Sequence, residues 1–443
     1  MHGKFSTATV PPQQAVDATV GLGLSRRRFG TLLGTALAGS TLAACGGGGG
    51  SGLDVAGKKA ALQAVLDRSV SGDQAPFLVG MVVNADGTPF SGAAGNAATG
   101  RPADLDTVMA IFSATKAIGS LAAMILIDRG LLSIDTPVEK VLPAFAGVKV
   151  LDGYDPSGRP VFRAPKTQAT IRHLATHTSG LEYEFWQPGE AAYLKATGGR
   201  GILASTNLQA ALLSEYPMMT DPGTRWGYGV SIDWLGLVVE RVSGQKIADF
   251  LRTNIFDPLG MGDTDVVLRD DMKSRLATVS FRGADGKFGA FPLAPPATTD
   301  SYGMGHALYS TPRDYAKFLR LILNRGSLGD KKVISEAAAA EMLKNQMPDG
   351  LNFQDLISAS PLSADFKPFA GIPKTHGFGF MRVEQNVPGM RRAGSVAWAG
   401  VCNSHYWIDL QSGIAGLFMT QSLPFVETPF MAGYEAFERA TYG

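Results

Sequence analysis

Ala117–Ile127 reads AIGSLAAMILI, an uncharged run with apolar residues on nearly every side. As a helix it has no solvent face, so it must lie buried among other layers. Ser113-Ala114-Thr115-Lys116 stands at its start, after the apolar run Val108–Phe112. That order reads as a strand or turn delivering a serine to a helix N-terminus. Positions three apart share a helix face, so the Lys116 amine stands one turn from the Ser113 hydroxyl. A serine hydroxyl is a weak nucleophile and needs a base within reach. A lysine in a dry setting can be that base, because desolvation disfavours its charged form. The helix N-terminus adds free N–H groups for a developing oxyanion.

The tetrad alone leaves an N-cap role open for Ser113. The spacing recurs at Ser243-Gly244-Gln245-Lys246, where the serine follows the helix-like run Leu235–Val242 and sits in a Ser-Gly turn. That second case reads as a cap.

The chain has 443 residues, is 45% hydrophobic and carries a net charge of +1. This balance argues against nucleic acid or an acidic polymer as partner. The start reads as a leader. Ser25-Arg26-Arg27-Arg28-Phe29 resembles a twin-arginine export signal and precedes a short Gly/Ala/Thr-rich apolar stretch. Leu42-Ala43-Ala44-Cys45 resembles a bacterial lipobox, with Cys45 as the acylated first residue of the mature chain. Residues 1–44 are thus expected to be signal peptide and 45–56 a glycine-rich tether. The product is expected in the bacterial envelope, facing the periplasm and touching membrane only through Cys45. Cys402, the other cysteine, then has no intramolecular partner.

The remaining residues, 57–443, exceed the size at which one core stops growing, so two subdomains are expected. Residues 57–70 look helical, Phe77–Asn84 reads as a strand, and Asp86-Gly87 marks a hairpin turn returning through Pro89–Ala94. Leu208–Leu213, Ile232–Val242 and Asp314–Leu323 read as helices. His405–Leu410 and Ile414–Thr420 alternate as strands, and Thr428-Pro429 opens a last helix. The fold class is α+β: one antiparallel sheet built from both ends of the chain (about 57–104 and 305–443), flanked by helices. A mainly helical subdomain spans about 105–304.

Two further segments bear on chemistry. Tyr228, bracketed by Gly227 and Gly229, can approach a ligand and relay a proton between a serine and a lysine; a half-buried turn aromatic reads the same way. Gly394–Val401 reads as a glycine-containing strand in which Gly400 lets a substrate approach and the Val401 N–H can serve as an oxyanion donor.

Taken in order, Phe112-Ser-Ala-Thr-Lys116, Ile171-Arg-His-Leu-Ala-Thr-His-Thr-Ser-Gly-Leu181, Tyr228, Pro258-Leu-Gly-Met261, Ser310-Thr-Pro-Arg-Asp-Tyr315 and Trp398-Ala-Gly400 form a specific set. It resembles the serine β-lactamase and penicillin-binding superfamily on its class C side, most nearly the family VIII carboxylesterases. The resemblance implies Ser113 as nucleophile, Lys116 and Tyr228 as its proton-transfer partners, and an oxyanion hole from the Ser113 and Val401 N–H groups. It implies no cofactor and no metal. Which of Lys116 and Tyr228 takes the proton is left open, as is the oligomeric state.

The departures set the expected substrate. Class C enzymes carry Tyr-x-Asn where this chain has Tyr228-Gly229-Val230, and Lys-Thr-Gly where it has Trp398-Ala399-Gly400. Family VIII esterases carry Trp-Gly-Gly there, so Ala399 departs slightly from them too. A tryptophan cannot attract a β-lactam carboxylate, and a small neutral ester needs no such partner. Lys374-Thr375-His376 imitates Lys-Thr-Gly but lacks the glycine. His306, Phe185 and Trp186 are candidate cleft residues as well as ordinary packing residues. His173 and His177 have metal-ligand spacing with no acidic partner, which reads as structural. The expected function is a serine carboxylesterase. Alternatives are a β-lactamase or D-amino-acid peptidase, and a penicillin-recognising module without turnover.

Overall fold

Strand β1 (Phe77–Asn84) is buried on both faces, so it needs covering layers on either side. It pairs with β2 (Phe90–Ala98), and the Asn84 side chain shapes their turn by accepting the Asp86 and Gly87 N–H groups at 3.0 and 2.8 Å. The remaining strands are β3 (Arg101–Pro102), β4 (Lys374–His376), β5 (Met381–Val383), β6 (Val396–Gly400), β7 (Ser404–Asp409) and β8 (Ile414–Met419). They form one eight-stranded sheet in the order β4-β5-β6-β7-β8-β1-β2-β3. Neighbours run antiparallel throughout. Both ends of the chain meet where β1 lies beside β8, with Val79 opposite Met419 and Asn84 opposite Ile414. The computed structural model describes residues 53–293 and 299–443; the leader, Cys45 and most of the tether lie outside them.

Helices α1 (Lys59–Ser71) and α5 (Thr428–Tyr442) cover one sheet face. A Cβ on Gly80 would stand 2.9 Å from the Phe437 ring and 3.0 Å from Leu66, which shows how closely they press. A buried ion pair fastens α5: Arg391 Nε donates to Glu438 Oε1 at 2.8 Å and Nη2 to Oε2 at 2.6 Å. On the other side, α4 (Pro312–Leu323) starts from Thr311, whose Oγ accepts the Asp314 N–H. Its Tyr315 ring packs 5.2 Å from Tyr406 of β7.

The apolar run is helix α2 (Thr115–Asp128), buried from Thr115 to Leu126. It lies beside α3 (Ser231–Ser243), and Met304 wedges against Gly119 of one and Gly236 of the other.

Three features differ from expectation. Strands β7 and β8 are buried at every residue because helices cover both sheet faces, so their sequence alternation does not separate core from solvent. The middle of the chain holds two unforeseen hairpins, Val150–Tyr154 with Pro160–Arg163 and Ser280–Arg282 with Phe288–Ala290. In the first, Asp155 organises the turn by accepting the Ser157 and Arg159 N–H groups at 2.8 and 3.0 Å. Finally, a long irregular segment between Leu343 and Lys374 crosses the site described next.

Candidate active site

Met109–Ala110 pairs antiparallel with Tyr309–Ser310 and brings the chain to Phe112, at φ +40°. A bulky side chain in the left-handed region is strained, a condition concentrated at functional sites. The single turn Phe112–Ala114 then feeds α2. Tyr315 of α4 holds this turn by donating its O–H to the Ala114 carbonyl at 2.9 Å. Ser113 is half-buried at the cleft, and Lys116 is 1% exposed. The Lys116 Nζ lies 3.2 Å from Ser113 Oγ, 3.1 Å from the Tyr183 hydroxyl and 2.8 Å from the Gly305 carbonyl. It also stands over the rings of Tyr183 and Tyr228, at 5.1 and 4.8 Å. The Gly305 carbonyl and the Tyr183 hydroxyl hold the amine against Ser113 Oγ.

Gly305 is aimed by a buried carboxylate. Asp233, at the start of α3, accepts the Gly305 N–H at 2.8 Å. A Cβ on Gly303 or Gly305 would come within about 2.4–2.5 Å of that carboxylate, so both glycines are needed for the chain to wrap it. His306 Nδ1 is 3.4 Å from Asp233, and His306 lines the cleft.

Tyr228 is held at four points. The His177 carbonyl accepts the Gly227 N–H at 2.8 Å, and His177 Nδ1 accepts the Gly229 N–H at 3.4 Å. The Tyr228 carbonyl accepts the Tyr183 N–H at 3.0 Å, and its hydroxyl accepts the Trp398 indole N–H at 3.2 Å. Gly229 has no alternative, since a Cβ there would lie 2.2 Å from the Leu181 carbonyl. Gly229 thus admits backbone, and Gly227 admits the Glu182 side chain. The expected direct relay differs in detail. The lysine bonds the hydroxyl of Tyr183, a residue sequence reasoning missed, and meets Tyr228 through its ring. Tyr183 stands two residues after the His-Thr-Ser-Gly-Leu segment, a position the motif itself could have flagged. Burial, with Asp233 and Tyr228 nearby, pushes its phenol well above the usual tyrosine range, so it stays protonated at neutral pH.

The Ser113 and Val401 residues both border the cleft, and among the described residues neither N–H donates to a protein acceptor. Gly400 puts them side by side: a Cβ there would stand 2.2 Å from the Ile111 carbonyl. This contact joins the strand end to the Ser113 turn, and the cleft is lined by the residues on either side of Gly400, Ala399 and Val401. Trp398, Phe185 and Trp186 do line it. His177 and His376 lie behind Tyr228, both held neutral by burial, His376 with its pKa lowered to about 4. His173 accepts the Thr170 N–H in a helix cap. Lys374 donates to the Ile372 carbonyl away from the cleft, and Ser243 caps its own helix end through the Gln245 N–H.

No Asp, Glu, Lys or Arg is among the described residues that line the cleft. Its roof is the irregular segment after Leu343, which contributes Leu356, Leu362 and Phe366. Backbone bonds fasten it: Ala359 N–H to Phe185 at 2.8 Å, and Phe425 N–H to Leu362 at 2.8 Å.

A lysine rather than a histidine at the serine, on an antiparallel sheet, separates this chain from the triad hydrolases and groups it with the serine β-lactamases and penicillin-binding proteins. The Beta-lactamase family matches residues 65–440, and the chain belongs to that family. It is 30% identical over 347 residues to lovastatin esterase of Penicillium rubens, covering 75% of this chain and 84% of that protein. It is 30% identical over 349 residues to monacolin J acid methylbutanoyltransferase of Aspergillus terreus, covering 77% and 83%. Unliganded simvastatin synthase of Aspergillus terreus superposes with a TM-score of 0.74 at 26% identity, covering 87% of this chain and 98% of that one.

Proposed function

We propose that the protein is a carboxylesterase that cleaves neutral esters through an acyl-enzyme on Ser113. The observation that carries this reading is a cleft without a charged wall, with Trp398 where a β-lactamase needs a cation. Ser113 passes its proton to Lys116 and attacks the ester carbonyl. The Ser113 and Val401 N–H groups receive the oxyanion. Collapse expels the alcohol, which takes the proton back from the Lys116–Tyr228 pair, and water repeats the sequence on the acyl-enzyme.

A second reading, transfer of the acyl group to an alcohol, is favoured by the apolar roof over the serine and by the methylbutanoyltransferase relative. Both readings share the first half-reaction and separate on adding an alcohol. A transferase forms new ester faster than it releases acid.

A charge-assisted hydrogen bond contributes about 1.5–3 kcal/mol, so a β-lactam carboxylate with no cation to meet loses roughly tenfold to a hundredfold in kcat/KM. The protein is expected to turn over p-nitrophenyl butyrate far faster than nitrocefin, and a fluorophosphonate should label Ser113 but not Ser243. Equal or faster nitrocefin turnover would replace this reading with a β-lactamase. Stoichiometric acylation without turnover would replace it with a binding module.

The lipobox-like Leu42–Cys45 and the tether support an anchored envelope protein. Cys45→Ala is expected to release the protein from the membrane fraction, with ester hydrolysis retained. A wild type found wholly in the soluble periplasm contradicts the anchor.

A further inference from the structure

We propose that Phe366 is the partition that ends the ester-binding cleft and selects compact substrate groups over long chains. This deepens the esterase reading and rests on it.

A second pocket, open to solvent, lies behind the same wall. Phe366, Trp398 and Ala399 border both spaces. Two of these cannot yield. Trp398 and Ala399 are locked in the β6–β7 ladder opposite Tyr406 and His405, and the Trp398 indole is also bonded to Tyr228. Phe366 alone comes from outside the sheet, on the roof segment. Its backbone bonds Leu356 in both directions, at 2.8 and 3.0 Å. Its ring meets Trp398 edge-on at 5.9 Å and Phe425 at 5.8 Å. The ring, not the main chain, therefore separates the two spaces, and shortening the side chain joins them without removing a backbone bond.

The inner part of the space behind suits an alkyl chain, while the exposed Asp365, Lys367 and Glu435 border it toward solvent. Phe369, Met381 and Met431 line it, and methionine side chains adapt to irregular apolar ligands. The one buried guanidinium there, Arg391, is matched by Glu438. His405 stays neutral, because burial and the nearby Arg391 charge lower its pKa to about 3.

The wild type is expected to lose kcat/KM steeply from p-nitrophenyl butyrate to the decanoate. Burying one methylene is worth about fourfold in affinity, so room for a few more should show clearly. Phe366→Ala should raise the decanoate-to-butyrate ratio of kcat/KM at least tenfold, and Phe366→Leu should move it less in the same direction. Adding Met431→Trp to Phe366→Ala refills the second pocket and should return the ratio toward wild type. A ratio unmoved in both single variants overturns the partition; if the alanine variant does not fold, the leucine variant decides alone. A gain that survives Met431→Trp also overturns it, since a loosened roof would then be the cause. A wild type that turns over no ester at all defeats the esterase reading itself. One that hydrolyses butyrate without a shift in the variants defeats only the partition.

Discussion

Lys116→Ala is expected to lower kcat for p-nitrophenyl butyrate by about a thousandfold or more, because under the proposed mechanism it removes the group that takes the Ser113 proton. Among the described residues the Lys116 amine is the one side chain bonded to Ser113 Oγ. Its other contacts, Gly305 and the Tyr183 hydroxyl, hold it on that target and cannot replace it. Tyr228→Phe should also lose orders of magnitude, and the Lys116→Ala, Tyr228→Phe double variant should fall little below the worse single one, since groups in one proton circuit fail together. Losses that simply multiply would show that the two act separately. Tyr183→Phe discriminates further. It removes one hydrogen bond from the amine but leaves the ring and Tyr228 in place, so the expected loss is about tenfold. A loss as large as that of Tyr228→Phe would route the proton through Tyr183 instead.

The clustering of Ser113, Lys116 and Tyr228 at one cleft was legible because each carries a local signature. Ser113 and Lys116 are one turn apart on a run that cannot be anything but a buried helix. Tyr228 sits between glycines, and the ordered motifs fix its identity. The sheet was legible for similar reasons, since Phe77–Asn84 and Ile414–Met419 are short, apolar and bounded by turn residues. What was not legible depends on contacts between distant residues. The need for Gly400 comes from the Ile111 carbonyl, and the needs for Gly303 and Gly305 come from Asp233. Each is a tertiary approach that sequence spacing does not encode. The roof segment has no periodicity of its own, because its order comes from backbone bonds to Phe185 and Phe425. Its share of the cleft, Leu356 through Phe366, was therefore missed. The middle hairpins were missed because their strands are short, and in the first the exposed Tyr154, Val161 and Phe162 blur any alternation.

Glu190→Met is expected to stabilise the protein, and by more as the pH rises. Glu190 lies on the helix Pro188–Thr197, just beyond the cleft residues Phe185 and Trp186, and is fully buried. Among the described residues neither of its carboxyl oxygens has a hydrogen-bond partner. The neighbouring acids are all better supplied. Glu182 meets Arg225 and Gln187, Glu184 accepts the Tyr216 O–H at 3.0 Å, and Glu215 accepts the Arg200 and Gly201 N–H groups. Burial first, then the charges of Glu184, Glu182 and Glu215, push the Glu190 pKa up to about 9 from an ordinary 4.5. An acid raised in this way keeps its proton in the fold while the unfolded chain releases it. Between pH 4.5 and about 9 the unfolded state thus binds fewer protons, and stability falls as pH rises. The slope from this one group approaches about 1.4 kcal/mol per pH unit. Methionine fills similar volume with nothing to ionise and no carboxyl left without a partner. Urea unfolding at pH 6 and pH 8 should show the variant ahead at both, with the gap widening by up to about 2.7 kcal/mol. A gap that stays constant would mean that Glu190 is already ionised in the fold, and a variant less stable than wild type would mean that the buried carboxyl has a partner on which the segment carrying Tyr183, Phe185 and Trp186 depends.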